Sequence, residues 1–170
     1  MNDRLSDSEM EYHFAAPVLR LETGMKQHYV PIPMEMADAL KEAGVRRVLA
    51  TLNGYTLSRG IQGRKDGEKY LMLGRTILRD IGANYGDTVM VSITPDPEPD
   101  RIELCDEFAS ALKQDDEAFT RFETLVPSHR RGLNYYVDSA KRADTRIKRA
   151  LEVVNKLRTY TLYGDLKKEE

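Results

Sequence analysis

Tryptophan is absent from this chain, cysteine occurs once and histidine three times. The lone cysteine, Cys105, excludes an internal disulfide and fits a reducing compartment. No apolar run approaches the roughly 18 residues that a membrane-spanning helix needs. The opening Met1-Asn2-Asp3-Arg4-Leu5-Ser6-Asp7 is polar and lacks the basic-then-apolar order of a secretion signal. A cytoplasmic location is therefore expected. Net charge is small as well: 26 Lys/Arg face 28 Asp/Glu, for −2. That balance argues against a wholesale nucleic-acid binder.

The residues of catalysis are equally sparse. His13, His28 and His129 are scattered, with no carboxylate or cysteine at metal-ligand spacing. Ser128 and His129 are adjacent, so they cannot face each other as nucleophile and base; Ser128 reads as a helix cap. Cys105 lies in an acidic stretch, which raises a thiol pKa and blunts its nucleophilicity. Gly54, Gly60, Gly63 and Gly67 precede no Lys-Ser/Thr and make no phosphate loop. The expectation is a protein that is not an enzyme and that carries no cofactor and no metal.

What the chain does contain is a clear partition. Its 170 residues, 41% hydrophobic and 32% charged, suffice for a core without disulfide or metal. The run Thr94-Pro95-Asp96-Pro97-Glu98-Pro99-Asp100, with prolines at alternate positions, reads as a stiff extended linker. Strand and turn signals precede it and helical ones follow. The expected domains are 1–97 and 98–170.

The first region repeats itself at an offset of 41 residues. His28-Tyr29-Val30-Pro31-Ile32-Pro33 lies over Lys69-Tyr70-Leu71-Met72-Leu73-Gly74, and Val48-Leu49-Ala50-Thr51-Leu52 over Val89-Met90-Val91-Ser92-Ile93. Each copy reads strand, short helix, strand. The helices span Met34–Ala43 and Arg75–Ile81, followed by Gly44 and Gly82 as C-caps. Asn53-Gly54 between apolar runs is a type I′ hairpin signal, so 47–52 and 55–62 should pair antiparallel. With a further strand over Tyr12–Glu22, about six strands and two helices are expected. A closed or nearly closed β-barrel is the expected way to hide their edges.

The second region is split by charge. Residues 100–125 carry three basic and eight acidic side chains, net −5; residues 127–158 carry nine basic and three acidic, net +6. Cys105–Lys113 is amphipathic, and Asp115-Asp116 caps a following helix. Read as one continuous helix, the basic segment places Leu133, Tyr136, Val137, Ala140, Ile147, Leu151 and Val154 on one face, with Arg131, Tyr135, Asp138, Arg142, Arg146 and Arg149 opposite. A cap at Asp144 or Thr145 would instead start a second helix. Asp138–Arg142, Asp144–Lys148 and Glu152–Lys156 are acid-before-base pairs at i,i+4. The remaining cations need an anion, either the acidic helices of the same region or an external partner.

Pro127-Ser128, Arg130-Arg131, Tyr135, Ala140-Lys141, Thr145-Arg146 and Lys148-Arg149 resemble the C-terminal helical module of the bacteriocin-protection, YdeI/OmpD-associated family. Many members of that family carry proline at the position of Ala143 and tryptophan at that of Tyr136. The first 95 residues resemble a small β-barrel family of unknown function that often precedes this module, through Tyr29-Val30-Pro31-Ile32-Pro33, Leu52-Asn53-Gly54-Tyr55, Gly67 and Tyr85-Gly86-Asp87-Thr88-Val89. That family is similar to the double-split barrels of the AbrB/MazE class. The resemblance implies a link to antimicrobial-peptide protection and an outer-membrane porin, and no catalytic residues. The expected function is a non-enzymatic, stress-related binding protein. Its contact surface for another protein or a small anionic ligand would be Arg130, Arg131, Tyr135, Lys141, Arg142, Arg146 and Arg149. Two alternatives stand beside it: an AbrB-like DNA-binding regulator, and a small-ligand barrel whose mouth is lined by Tyr29, Tyr55 and Tyr70.

Overall fold

Alternation of side chains decides the first half of the chain. In the computed structural model, which describes residues 10–165 apart from 23 and 25, the strand β4 (Arg47–Leu52) buries Val48, Ala50 and Leu52 and turns Leu49 and Thr51 away from the core. It pairs with β5 (Tyr55–Gly60) through a turn in which Asn53 (φ 47°) and Gly54 (φ 85°) both have positive φ, the requirement of a type I′ hairpin. On its other side β4 pairs with β8 (Thr88–Pro95), which pairs with β1 (Tyr12–Pro17). A second four-stranded antiparallel sheet has the order β2 (Leu19–Arg20), β3 (His28–Ile32), β7 (Lys69–Leu73), β6 (Gln62–Gly63). The helices α1 (Met34–Glu42) and α2 (Arg75–Ile81) bury Ala37, Leu40, Leu78 and Ile81 in the core of this unit. The opening Met1–Asp7 lies outside the described residues.

The strand registers repeat the offset seen in the sequence. Shifting both partners of His28↔Leu73 by 41 residues, one forward and one back, gives Lys69↔Ile32, a pair that is present. Ala50↔Ile93 transforms in the same way into Val91↔Leu52. The correspondence also reaches beyond the repeat that is legible in the sequence. Ala16 faces Val89 as Arg59 faces Val48, and Leu19 faces Tyr29 as Gln62 faces Tyr70. These positions are related by an offset of 43 rather than 41. The difference lies between the flanking strands: seven residues separate β2 from β3, and five separate β6 from β7.

Two expectations change here. Tyr12–Glu22 and 55–62 are not single strands in one sheet: each runs along one sheet, turns at Val18 or Ile61, and continues in the other. At the turning points Val18 N–H donates to Asp87 O (2.8 Å) and Ile61 N–H to Arg46 O (2.9 Å), so neither amide enters a strand ladder. As a result the described residues form two four-stranded sheets and no closed barrel. The chain divides into the compact units Met1–Pro99 and Asp100–Glu170. The first proline of the 94–100 run, Pro95, still pairs with Val48 at the end of β8.

The second unit holds four helices: α3 (Asp106–Lys113), α4 (Asp116–Thr124), α5 (Pro127–Asp138) and α6 (Ala143–Thr159). Asp115 caps α4, its carboxylate accepting from Ala118 N–H at 3.0 Å. Ser128 is not a cap. Val126 holds the N-cap position of α5, and Pro127 starts the helix, where its fixed φ suits and its missing N–H costs nothing. The core comprises Phe108, Leu112, Phe122, Val137, Val153 and Leu157, with the Phe108 and Phe122 rings edge to face at 5.4 Å.

The basic segment is not one helix either. It breaks at residues 139–142, and α6 starts after Arg142. The break re-phases everything downstream. Val137, Ala140 and Val154 are buried, whereas Tyr136, Ile147 and Leu151, expected in the core, are 40%, 48% and 58% exposed.

Candidate functional site

The arginine face builds from the break between α5 and α6. Tyr136 O near the end of α5 and the carbonyls of Ala140 and Lys141 in the following loop are left for side chains to satisfy, and a helix C-terminus attracts cations. Arg146 and Arg149, one and two turns into α6, reach back to them. Arg146 Nη1 donates to Ala140 O (3.0 Å) and Lys141 O (3.2 Å), and Arg149 Nη1 donates to Tyr136 O (2.8 Å) and Ser139 Oγ (3.4 Å). The Arg149 guanidinium also lies 4.7 Å from the Tyr136 ring centre. Tyr136 Oη in turn donates to Glu152, which takes Lys156 at 2.8 Å.

Arg146 has a carboxylate as well. Its Nε donates to Glu107 on α3 at 2.7 Å, tying α3 to α6. The hydrogen bond from Arg146 holds the Glu107 carboxyl below the usual range, and the same bond raises the Arg146 guanidinium. The i,i+4 pairs fare unevenly. Glu152–Lys156 forms; Asp138 and Arg142 are parted by the break; and among the described residues Asp144 and Lys148 make no ion pair.

Of the seven residues proposed as a contact surface, then, Arg146 and Arg149 are engaged within the unit. Lys141 and Arg142 are exposed on the loop, and Tyr135 is 72% exposed. Arg130 and Arg131 lie half-buried on α5, and the Arg130 Nε is buried without a hydrogen-bond acceptor. Burial, ahead of Asp138 and Glu107, raises the Cys105 thiol.

The re-phasing of α6 creates a feature that a continuous helix would not have. Ile147 and Leu151 line a groove of about 440 Å³ with Asp106, Glu107, Ser110, Ala111 and Gln114 of α3. Its lining combines the apolar Ile147 and Leu151 with the acidic Asp106 and with Glu107, which Arg146 holds. A second cavity of about 390 Å³ lies at the other end of α6, lined by Asp116, Glu117, Thr120, Arg121, Thr124, Arg158 and Tyr160. Its cations are already taken: Arg121 pairs with Asp165 (2.7 Å) and Arg158 with Asp115 (3.2 Å).

Residues 101–159 match the family model described as Bacteriocin-protection, YdeI or OmpD-Associated, and residues 14–93 match the Domain of unknown function (DUF1905). The chain is a domain of unknown function followed by a YdeI/OmpD-associated region. No curated protein matches it. In the YdeI/OmpD-associated region, Glu107, Ile147 and Leu151 escaped the sequence reading as site residues. Glu107 looked like one of many acids flanking an amphipathic helix, and Ile147 and Leu151 are core residues if the helix is continuous. Asn134 was missed as well. Its side chain accepts from Cys105 N–H (2.9 Å) and donates to Glu103 O (3.0 Å), fastening the start of α3 to α5.

In the domain of unknown function the three tyrosines do not form one wall. Tyr29 and Tyr70, 4% and 8% exposed, stack at 4.9 Å on the second sheet, and Arg64 Nη1 donates to Tyr29 Oη at 2.8 Å. Tyr55 lies on β5 in the other sheet, 42% exposed, with no ring contact to either. Of the histidines, His13 faces Glu11 at 3.0 Å, His28 starts β3, and His129 is exposed.

Proposed function

We propose that this protein is a non-catalytic binding protein whose YdeI/OmpD-associated module captures a cationic amphipathic peptide segment in the groove between α3 and α6. One observation carries the reading: Ile147 and Leu151 are apolar, exposed and set in one groove with the acidic Asp106. An amphipathic helix rich in Lys/Arg presents the complementary surface, an apolar stripe bordered by positive charge. The family description, bacteriocin protection, agrees in kind, because many membrane-active antimicrobial peptides have this chemistry. The charge on the α3 side favours it too: residues 100–125 are net −5, across the groove from the net +6 segment 127–158.

This reading moves the contact surface off the arginines, two of which are engaged within the module. The exposed Lys141 and Arg142 on the loop support a narrower second surface, suited to an acidic partner. For the N-terminal domain we infer the pseudo-duplicated, double-split arrangement of AbrB/MazE-class barrels. The registers related by a common offset support it, as do β1–β2 and β5–β6, each of which passes from one sheet to the other.

The test is fluorescence anisotropy of a labelled synthetic Leu/Lys amphipathic helix titrated with the full chain. Leu151→Asp and Asp106→Lys should each weaken binding at least tenfold, and Arg142→Glu should leave it unchanged or tighter. Equal binding by the wild type and Leu151→Asp removes the groove from the account. Loss of binding with Arg142→Glu alone returns the contact surface to the basic loop.

A further inference from the structure

A duplicated fold contains its own control. Where two equivalent positions carry different chemistry, the fold itself requires neither. Register makes Ala16 of β1 and Arg59 of β5 equivalent, since they face Val89 and Val48, which are themselves related by the 41-residue offset. One half places a buried alanine there (3% exposed); the other places a guanidinium.

Arg59 shares the core-facing side of β5 with Leu57 and Tyr55, alternating with Thr56 and Ser58, which bond outward to Thr51 and Arg47. Its side chain crosses to the other sheet, where Nε donates to Met72 O of β7 at 3.1 Å, and Nη1 donates to Ser58 O at 3.1 Å. Both acceptors are neutral. Among the described residues no carboxylate lies within ion-pair distance of Arg59. Elsewhere in the chain, Arg146 and Arg121 are each matched to an acid. Burial pushes the Arg59 guanidinium down from its ordinary value, and the nearby Tyr55 phenol pulls the other way.

A half-buried cation without a counter-charge carries part of the cost of desolvation. Two carbonyl bonds hold its position without neutralising it. They engage two of its five N–H donors, and guanidinium donors match the two oxygens of a carboxylate. Tyr55, four residues away on the same side of the strand and 42% exposed, marks where that side of β5 meets solvent. We propose that Arg59 is a binding seat for a small carboxylate at the seam between β5 and β7. The alanine in the other half says that closing such a seam needs no charge. A carboxylate supplies the one element that Arg59 lacks.

Thermal unfolding of the full chain in sodium acetate and in sodium malonate, against sodium chloride at equal ionic strength, tests the seat. A ligand that binds only the folded state raises the midpoint in a saturable way. The wild type should show that rise with a carboxylate and not with chloride. Arg59→Ala, which copies the other half, should fold and weaken the carboxylate effect at least tenfold. Arg59→Gln, which keeps a donor for Met72 O without the charge, should do the same. If neither Arg59 variant folds, the wild-type Arg59 Nε–H resonance is followed during an acetate titration, where a saturable shift is expected. No saturable rise in the wild type, an equal rise in Arg59→Gln, or an unmoved Nε–H resonance each overturns the proposal.

Discussion

Arg146 in the C-terminal unit and Arg59 in the N-terminal unit are both guanidiniums drawn in from solvent, and they are held in different ways. Arg146 has a carboxylate on a neighbouring helix and two carbonyls of the loop that precedes its own. Arg59 has carbonyls only. The first arrangement neutralises charge and joins α3, the 139–142 loop and α6, so its purpose is met inside the unit. The second fixes a direction and leaves the charge unanswered. Half-burial alone therefore does not mark an arginine as structural or as functional; what distinguishes the two is whether an acid accompanies it.

The strongest way to break the comparison is to dissolve the frame that positions Arg146. Phe108→Ala removes a ring with no exposed surface that packs against Phe122, and should destabilise the C-terminal unit by about 3–5 kcal/mol. Chemical denaturation followed by far-UV circular dichroism, where the loss is helical, measures it. A smaller effect is expected from Arg146→Met, which strands Glu107 and frees the carbonyls of Ala140 and Lys141. Its urea midpoint should fall below that of the wild type, while Arg59→Gln in the other unit should move the midpoint less. The reverse order would remove the distinction drawn between the two arginines.

A pH series sharpens the same point. The Glu107 carboxyl is held down chiefly by the Arg146 hydrogen bond. Its contribution is therefore complete above the unfolded carboxyl value of about 4.3 and is lost as pH falls through the lower folded value. Wild-type stability should accordingly drop more steeply below about pH 4.5 than that of Glu107→Gln, read as urea midpoint against pH. Parallel curves would mean that the Glu107–Arg146 bridge adds nothing. The smallest effect belongs to Glu152→Gln. Its carboxyl is also held down, first by Lys156 and then by the Tyr136 hydroxyl, but both members of the Glu152–Lys156 pair are more than two-fifths exposed. Solvent screens such a pair, so the midpoint should stay within error of the wild type.

Much of the fold was legible because it is local. The Asn53-Gly54 turn, the Asp115 cap and the 41-residue repeat each depend on neighbours within a few residues or on a pattern that recurs. The turns at Val18 and Ile61 were not legible. An apolar residue at the point where a strand changes sheets looks like any other member of the run, and only the pairing partners reveal the change. The break at 139–142 was legible only as one of two readings: a cap at Asp144 or Thr145 would start a second helix, but Ala140 is buried either way, so its apolarity could not decide between them. That ambiguity moved Ile147 and Leu151 from an expected core to an exposed groove, and with them the candidate site.

By itself, the sequence determined the segregation of charge in the C-terminal unit, −5 followed by +6, and the strand–helix–strand repeat, because composition and periodicity are properties of the chain. Only the tertiary structure decided which cation meets which anion. Glu107 and Arg146 are 39 residues apart, and their meeting depends on how α3 and α6 pack, which in turn follows from where one helix stops. It likewise decided that Arg59 meets no acid among the described residues, since that depends on which strands close around it.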